Sequence, residues 1–171
     1  MCVKSGPIHF LVLTGLIMLL SSCGALIQNK AKNYATVEAG AIPQDFGEDG
    51  AGVVFLTYER SYNKYLKKNV RKVFRGPHIF LPLNAADSLR NAVGGYRYLF
   101  GYDGRYGQRY SSNTVIYGPG GGMNTYRVRR FYLRDLKTDS TYTLGMMSGF
   151  WSKLQRYYLK KLEEQRLTHQ D

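Results

Sequence analysis

The chain has 171 residues, of which 24 are Lys or Arg and 12 are Asp or Glu, so its formal net charge is +12. Two cysteines and three histidines occur, in no arrangement typical of a zinc site or a disulfide framework. The composition excludes a scaffold held by metal or disulfides. It favours a basic domain that folds around a hydrophobic core and attracts anionic partners.

The first 23 residues have the layout of a secretory signal. Lys4 is the only charged side chain among them, residues 10–20 are almost entirely apolar, and two serines precede Cys23. The apolar run is shorter than the roughly 20 residues that a transmembrane helix needs. The segment therefore predicts export, not a membrane span.

The end of this signal, Leu20-Ser21-Ser22-Cys23, resembles the lipobox of bacterial lipoproteins, in which an aliphatic and two small residues precede a cysteine. The resemblance implies that the Cys23 thiol receives a diacylglyceryl group and that residues 1–22 are then removed. It implies acylation of the new amino group as well, and two or three acyl chains give a lasting anchor. The resemblance ends at Cys23.

The residues after Cys23 bear on the choice of membrane. In lipoproteins of this kind, an Asp directly after the cysteine favours inner-membrane retention, and nearby acidic residues mark surface exposure in some bacteria. Here Gly24 follows, and the first acidic residue is Glu38. The resemblance thus implies an outer-membrane lipoprotein that faces the periplasm.

Residues 23–50 are predicted to be the lipidated cysteine and a flexible tether, because they are small and polar and show no sustained period. The alternative is that the segment from Tyr34 to Phe46 packs on the domain as an irregular arm, which the apolar side chain of Ile42 favours. Residues 51–171 are predicted to form a single basic domain of ordinary size.

The domain is predicted to begin with a buried strand at residues 52–59, which are apolar, β-branched and aromatic. Residues 61–75 have helical periodicity, with Ser61 as the N-cap and Gly76-Pro77 as the stop. A second strand is expected at residues 78–83 and a helical turn at 85–93. The helix presents five basic residues on its polar face: Lys64, Lys67, Lys68, Arg71 and Lys72.

The rest of the domain is predicted to be rich in strands, with a closing helix. Strands are expected at residues 96–102, 114–117, 126–133 and 140–144, with a turn at Asp103-Gly104. The helix at residues 148–166 has an apolar stripe of Phe150, Trp151, Leu154, Tyr158 and Leu162. The fold class is therefore α+β: an antiparallel sheet of about five or six strands, with an N-terminal-half helix and a C-terminal helix packed on it.

Catalytic patterns are lacking in the sequence. There is no nucleophile elbow, the glycine-rich residues 118–122 lack the Lys-Ser/Thr of a phosphate loop, and His78 and His169 have no ligand spacing. A carboxylate-based glycan hydrolase is a remote alternative, with Glu59, Asp103, Asp135 and Asp139 as candidates. Turn chemistry explains three of these acids more simply. We predict a protein that is not an enzyme and has no cofactor or metal.

Charge is distributed unevenly. Residues 33–59 hold five acids and no base, whereas residues 60–171 hold twenty-one Lys and Arg against seven Asp and Glu. Several of the fifteen tyrosines stand beside arginines, a combination that suits stacking and cation–π contacts. Alternatively, half of the tyrosines belong to the core and the basic residues are only solvated. The predicted anionic-partner surface comprises Lys64, Lys67, Lys68, Arg71, Lys72, Arg97, Arg127, Arg129 and Arg130.

These features together predict a membrane-anchored envelope lipoprotein without catalytic activity. Its first predicted role is an accessory or scaffold subunit that docks on another envelope protein. The alternative is a binding module for an anionic glycan or lipid, such as peptidoglycan or lipopolysaccharide. No nucleic-acid partner is expected, because the periplasm contains little nucleic acid.

Overall fold

The structure, a computed structural model, describes residues 26–85, 95–109 and 124–169, and describes only the backbone of 105–109 and 124–127. The helices are α1 (residues 26–31), α2 (Arg60–Val73) and α3 (Trp151–Thr168). The strands are β1 (Gly52–Thr57), β2 (His78–Pro82), β3 (Tyr96–Arg109), β4 (Asn124–Asp135) and β5 (Thr141–Thr143). Across these ranges no helix combines the length and apolarity that crossing a membrane requires.

The strands form one mixed sheet in the order β2-β1-β3-β4-β5. The predicted α+β class and the two helices are confirmed, and the described residues contain five strands, within the predicted five or six. The sheet was predicted to be antiparallel throughout and is mixed. Most of the pairing is antiparallel, along β3–β4 and β4–β5. β1 is parallel to β2 and to β3. The pairing with β2 is parallel because α2 carries the chain back across the sheet before β2 begins, which a hairpin does not do.

The turn predicted at Asp103-Gly104 is wrong, because β3 continues through both residues to Arg109. β4 runs antiparallel to it throughout, so that Asp103 pairs with Arg130 in the ladder. A two-residue turn signal is overridden where a long partner strand supplies hydrogen bonds to the residues before and after it. The predicted strand at 114–117, the loop at 118–122 and residues 86–93 of the predicted helical turn lie outside the described residues.

The core lies between one face of the sheet and the helices. α2 and α3 bury the apolar stripes that their periodicity predicts: Tyr62, Leu66 and Val70 from α2, and Leu154, Tyr158 and Leu162 from α3. Two details of the prediction are corrected. Glu59, not Ser61, is the N-cap of α2, and Phe150 is 62% exposed because α3 begins one residue after it.

Residues 26–50 form an arm that packs on the domain. Ile27, Ala31, Ile42 and Phe46 are buried in the same core as the sheet and helices, with Phe46 against Tyr98 at 4.9 Å between ring centroids. The described part of the predicted tether is therefore packed, as the alternative interpretation expected. The folded unit therefore includes residues 27–46, which precede the predicted boundary at residue 51.

Glycine allows the arm to approach α3 closely. Gly47 has a φ of +107°, and a Cβ at this position would lie 2.7 Å from the Cα of Arg166. The hydroxyl of Tyr158 donates a hydrogen bond to the carbonyl of Ala41, and the Gln165 side-chain amide donates to the carbonyl of Gln44 at 3.0 Å. These contacts satisfy the polar backbone of a segment that has little regular secondary structure.

Candidate functional site

The most prominent exposed feature of the domain is the basic face of α2. Tyr62, Leu66, Asn69 and Val70 turn towards the core. The opposite face exposes the five predicted basic residues, which we call the α2 basic face: Lys64, Lys67, Lys68, Arg71 and Lys72. Residues 64–72 rise about 12 Å along the helix, so the five charges are concentrated on a short surface.

The α2 basic face has no acidic neighbour at ion-pair distance among the described residues. The Nζ atom of Lys67 lies 5.7 Å from the centroid of the Phe80 ring, so this lysine covers part of β2. Like charges four positions apart, such as Lys64 and Lys68, disfavour the helix by a few tenths of a kcal/mol, roughly. An anionic partner would remove this repulsion.

Arg97 does not belong to that surface, which corrects the prediction. Its guanidinium donates hydrogen bonds to Asp135 at 2.6 Å, to Asp45 at 2.6 Å and to Asp49 at 3.2 Å, and lies over the ring of Tyr98. The hydrogen bond to Asp135 is the main reason that the pKa of Arg97 is raised. Arg97 therefore fastens the arm, which carries Asp45 and Asp49, to β3 and β4.

Arg129 was also predicted to lie on the anionic-partner surface, and this is wrong, because its side chain is 1% exposed. Strand alternation puts Arg129 on the same face of β4 as the buried Phe131, under α2 and α3. Its guanidinium carbon lies 3.9 Å from the ring centroid of Trp151 and 4.7 Å from that of Tyr102, and one nitrogen pairs with Glu59. Arg129 is a structural cation held by aromatic rings and one carboxylate.

The two remaining predicted arginines do not extend the α2 basic face. Arg130 pairs with Asp103 at 2.8 Å across the β3–β4 ladder and is one-third exposed. The backbone of Arg127 pairs with Tyr106 in the same ladder, and its side chain lies outside the described residues. Of the nine predicted binding residues, the structure thus brings the five on α2 together.

The four acids considered for hydrolysis each pair with an arginine: Glu59 with Arg129, Asp103 with Arg130, Asp135 with Arg97 and Asp139 with Arg134. Burial acts to raise the pKa of Asp135, but hydrogen bonds from Arg97 and from the Lys137 N–H outweigh it, and the pKa is lowered. A general acid needs the opposite shift. Asp135 is therefore suited to holding the turn that follows β4.

Metal ligands are not assembled in the part of the chain that the structure describes, where no group of three or more His, Cys, Asp or Glu side chains converges. His78 Nδ1 lies 2.8 Å from the Gly76 carbonyl, and His169 Nε2 lies 2.9 Å from that of Gln44. Both histidines thus have structural roles beside the backbone.

A cluster of tyrosines accounts for part of the aromatic content. The ring centroid of Tyr102 lies 4.4 Å from that of Tyr58 and 4.7 Å from that of Tyr62. The pKa of Tyr102 is raised to about 12, mainly because the hydroxyl is partly buried and secondly because it donates a hydrogen bond to Glu59. The sequence signal for this cluster was the alternation along β3, which places Tyr98, Phe100 and Tyr102 on one face of the strand. Tyr62 is a core residue, and Tyr58 and Tyr102 are partly buried and pack against the core.

A second surface feature was missed by the sequence analysis: an open groove of about 660 Å³ between α1 and α3. Its lining includes Leu26, Lys32, Tyr157, Lys160, Lys161 and Glu164. The groove was missed because one of its walls is formed by residues that were predicted to be a tether.

Comparison with known proteins does not identify the chain: no protein-family model, curated protein or solved structure matches it. The basis for a functional assignment is therefore the arrangement of charged residues on the surface. The α2 basic face is the candidate site with the highest density of charge.

Proposed function

We propose that the protein is a membrane-anchored lipoprotein of the bacterial envelope that works without catalysis, as an accessory subunit. It docks on an acidic surface of another envelope protein through the α2 basic face. The observation that carries this proposal is the row of five exposed basic residues without acidic partners in the described structure. A row of this kind steers an anionic partner and fixes its orientation.

An aromatic side chain within the row favours a protein partner. Tyr65 lies between Lys64 and Lys68 along the helix and is 43% exposed. Its ring stands edge-on to Trp151, at 5.4 Å between centroids and 90° between planes, and is therefore held in place. A half-exposed tyrosine that is held in place suits a protein interface, where aromatic residues are enriched and lose little conformational entropy on binding.

Two further observations support the proposal. The four acids that were candidates for catalysis are paired with arginines, which suits structural roles. The lipobox resemblance at Cys23 supports the anchor, and Leu26, the first described residue of the arm, follows Cys23 by only three positions. An anchored domain with such an arm would stay close to the membrane surface and meet other envelope proteins there.

The proposal is tested by reversing three lysines, Lys64→Glu, Lys68→Glu and Lys72→Glu, in one variant. Lys67 is left in place because it packs against Phe80. We expect chemical cross-linking in intact cells, followed by purification, to recover an envelope protein with the wild type and to lose it with the variant. The thermal unfolding midpoint should be unchanged, because all three side chains are exposed.

A matched control reverses three lysines elsewhere, Lys30→Glu, Lys137→Glu and Lys153→Glu, and gives the same change in net charge. It should retain the cross-linked partner. Equal loss in both variants, or retention in both, would mean that the α2 basic face is not the docking site. If purified sacculi or lipopolysaccharide bind the wild type but not the α2 variant, with no protein partner present, the glycan or lipid alternative replaces the accessory role.

A further inference from the structure

We propose that the groove between α1 and α3 binds the phosphate of an anionic phospholipid headgroup, taken from the membrane that holds the anchor. This inference rests on the lipid anchor of the proposed function. It concerns a surface separate from the α2 basic face, since no residue of α2 lines the groove. The domain would then contact the membrane by a second, non-covalent attachment beside the first.

The position of the groove in the chain argues for a membrane ligand. Leu26, at one end of the lining, is three residues after Cys23. Three residues span at most about 10 Å, and the headgroup layer on each side of the hydrocarbon core is about 5 to 7 Å thick. A lipid-modified Cys23 would therefore keep Leu26, and with it the lining of the groove, within about 10 Å of the headgroup layer.

The charge of the groove argues for an anionic ligand. Three lysines line it against a single acid. Glu164 pairs with two of these lysines. Its Oε1 lies 3.4 Å from the Nζ atom of Lys160, and its Oε2 lies 2.7 Å from that of Lys161. Lys32 is exposed and has no ion pair within the described part of the chain. The lining thus has a surplus of two positive charges, close to a surface where basic residues attract anionic lipid.

The mixed polarity of the lining argues for a lipid headgroup over a free anion. Leu26 is 62% exposed at the edge of the groove, and Tyr157 is half-buried in its wall. An exposed leucine and a tyrosine beside lysines suit the boundary between headgroups and acyl chains. The amides of Gln28 and Asn29 add hydrogen-bond donors for phosphate or glycerol oxygens.

The test is an NMR titration of the mature, lipid-modified chain, which starts at Cys23, in a non-ionic detergent. The probes are dihexanoylphosphatidylglycerol, dihexanoylphosphatidylcholine and inorganic phosphate. We expect the anionic lipid to shift the backbone amides of residues 26–32 and 157–164 in a saturable way. The zwitterionic lipid should bind at least about tenfold more weakly. A response to inorganic phosphate equal to that of the anionic lipid would overturn the assignment to a lipid.

Two variants make the test specific. Lys32→Gln with Lys160→Gln should weaken binding of the anionic lipid by about tenfold or more, because each lysine adds favourable free energy near an anionic surface. Glu164→Gln should tighten it, since this change removes the one acid of the lining and frees two lysines. A general loss of structure would not tighten binding. Weaker binding by Glu164→Gln, or unaltered binding by the double variant, would refute the groove as the site.

A control separates this inference from the proposed function. Lys64→Gln with Lys68→Gln makes the same charge change on α2 and should leave the titration as in the wild type. If this control weakens lipid binding as much as the groove variant does, the lipid is attracted by overall charge and the groove proposal fails. The docking role is judged independently, by cross-linking of the α2 variant.

Discussion

Arg97 on β3 donates a hydrogen bond to Asp45 in the arm at 2.6 Å, across 52 positions of sequence. The same guanidinium donates to Asp135, whose side chain is fully buried at the end of β4. One cation thus connects the segment before the domain with two neighbouring strands of its sheet. The arm is therefore part of the folded unit, and its removal should affect the stability of the whole.

The first prediction concerns the apolar attachment of the arm. Phe46→Ala should lower the free energy of unfolding by about 3 to 5 kcal/mol, because it leaves a cavity beside Tyr98 in the core. Urea unfolding followed by circular dichroism measures the change. Gln44→Ala is the control and should alter the free energy by less than about 0.5 kcal/mol, since its side chain is exposed. Similar values for the two variants would show that the arm is loosely attached.

The second prediction concerns pH. The pKa of Asp135 is lowered in the folded state, so its stabilisation is fully present above the unfolded pKa of about 3.9 and is lost as the pH falls through the lower, folded value. Asp135→Asn should cost about 1.5 to 3 kcal/mol at pH 7, because it removes the fully buried partner of Arg97 and leaves it with the half-exposed Asp45 and Asp49. The variant should also lose less stability than the wild type between pH 4 and pH 2.

Urea unfolding at several pH values measures both quantities. Asp103→Asn is the comparison, because its ion pair with Arg130 is half-exposed and should contribute less than about 1 kcal/mol. An Asp135→Asn variant whose stability falls with acid as steeply as that of the wild type would contradict the assignment of this pH dependence to Asp135.

The third prediction concerns the unequal burial of an ion pair. Arg129 is 1% exposed, whereas its partner Glu59 is 34% exposed. Glu59→Gln should therefore destabilise by about 3 kcal/mol, because it leaves a buried guanidinium without its counter-charge. Arg129→Met should cost less, since the carboxylate left behind can be hydrated and methionine packs well on aromatic rings. Thermal unfolding of both variants decides the order, and the reverse order would refute this account.

The fourth prediction concerns the anchor. Cys23→Ala should abolish the incorporation of labelled palmitate and leave the chain unprocessed, because a thiol is the group that accepts the diacylglyceryl unit. Gel analysis of cells grown with the labelled fatty acid measures this. Cys2→Ala is the matched control and should be labelled like the wild type, as Cys2 precedes the cleavage site that the lipobox implies. Equal labelling of the Cys23→Ala variant would exclude the lipoprotein.

The elements with local, periodic signals were predictable from sequence. The α2 helix was expected at residues 61–75 and is found at Arg60–Val73, with Leu66 and Val70 buried and the five basic residues exposed. The α3 helix was placed within three residues at each end. In α2 the period of apolar side chains specifies the buried face without knowledge of what covers it. In α3 the period identifies Leu154, Tyr158 and Leu162, but not the buried Gln155, Glu163 and Arg166.

The tertiary structure decided three features that the sequence left open or placed wrongly. The arm lacks a period, and its apolar residues are buried only because α3 and the sheet leave a space for them. The turn at Asp103-Gly104 gave way to a ladder whose second strand begins about twenty residues later. Arg97 and Arg129 became internal cations because acids distant in sequence, Asp45 and Glu59 among them, meet them in the fold.

The sequence by itself determined the helical faces and the excess of positive charge, and it predicts an export signal, because each depends on residues close together in the chain. Which of those charges remain available to a partner was decided by tertiary structure. A guanidinium is neutralised wherever a carboxylate comes within about 4 Å, and that distance depends on packing between segments far apart in sequence. The α2 basic face is exposed because it lies opposite the buried face of the helix, and no acid among the described residues pairs with it.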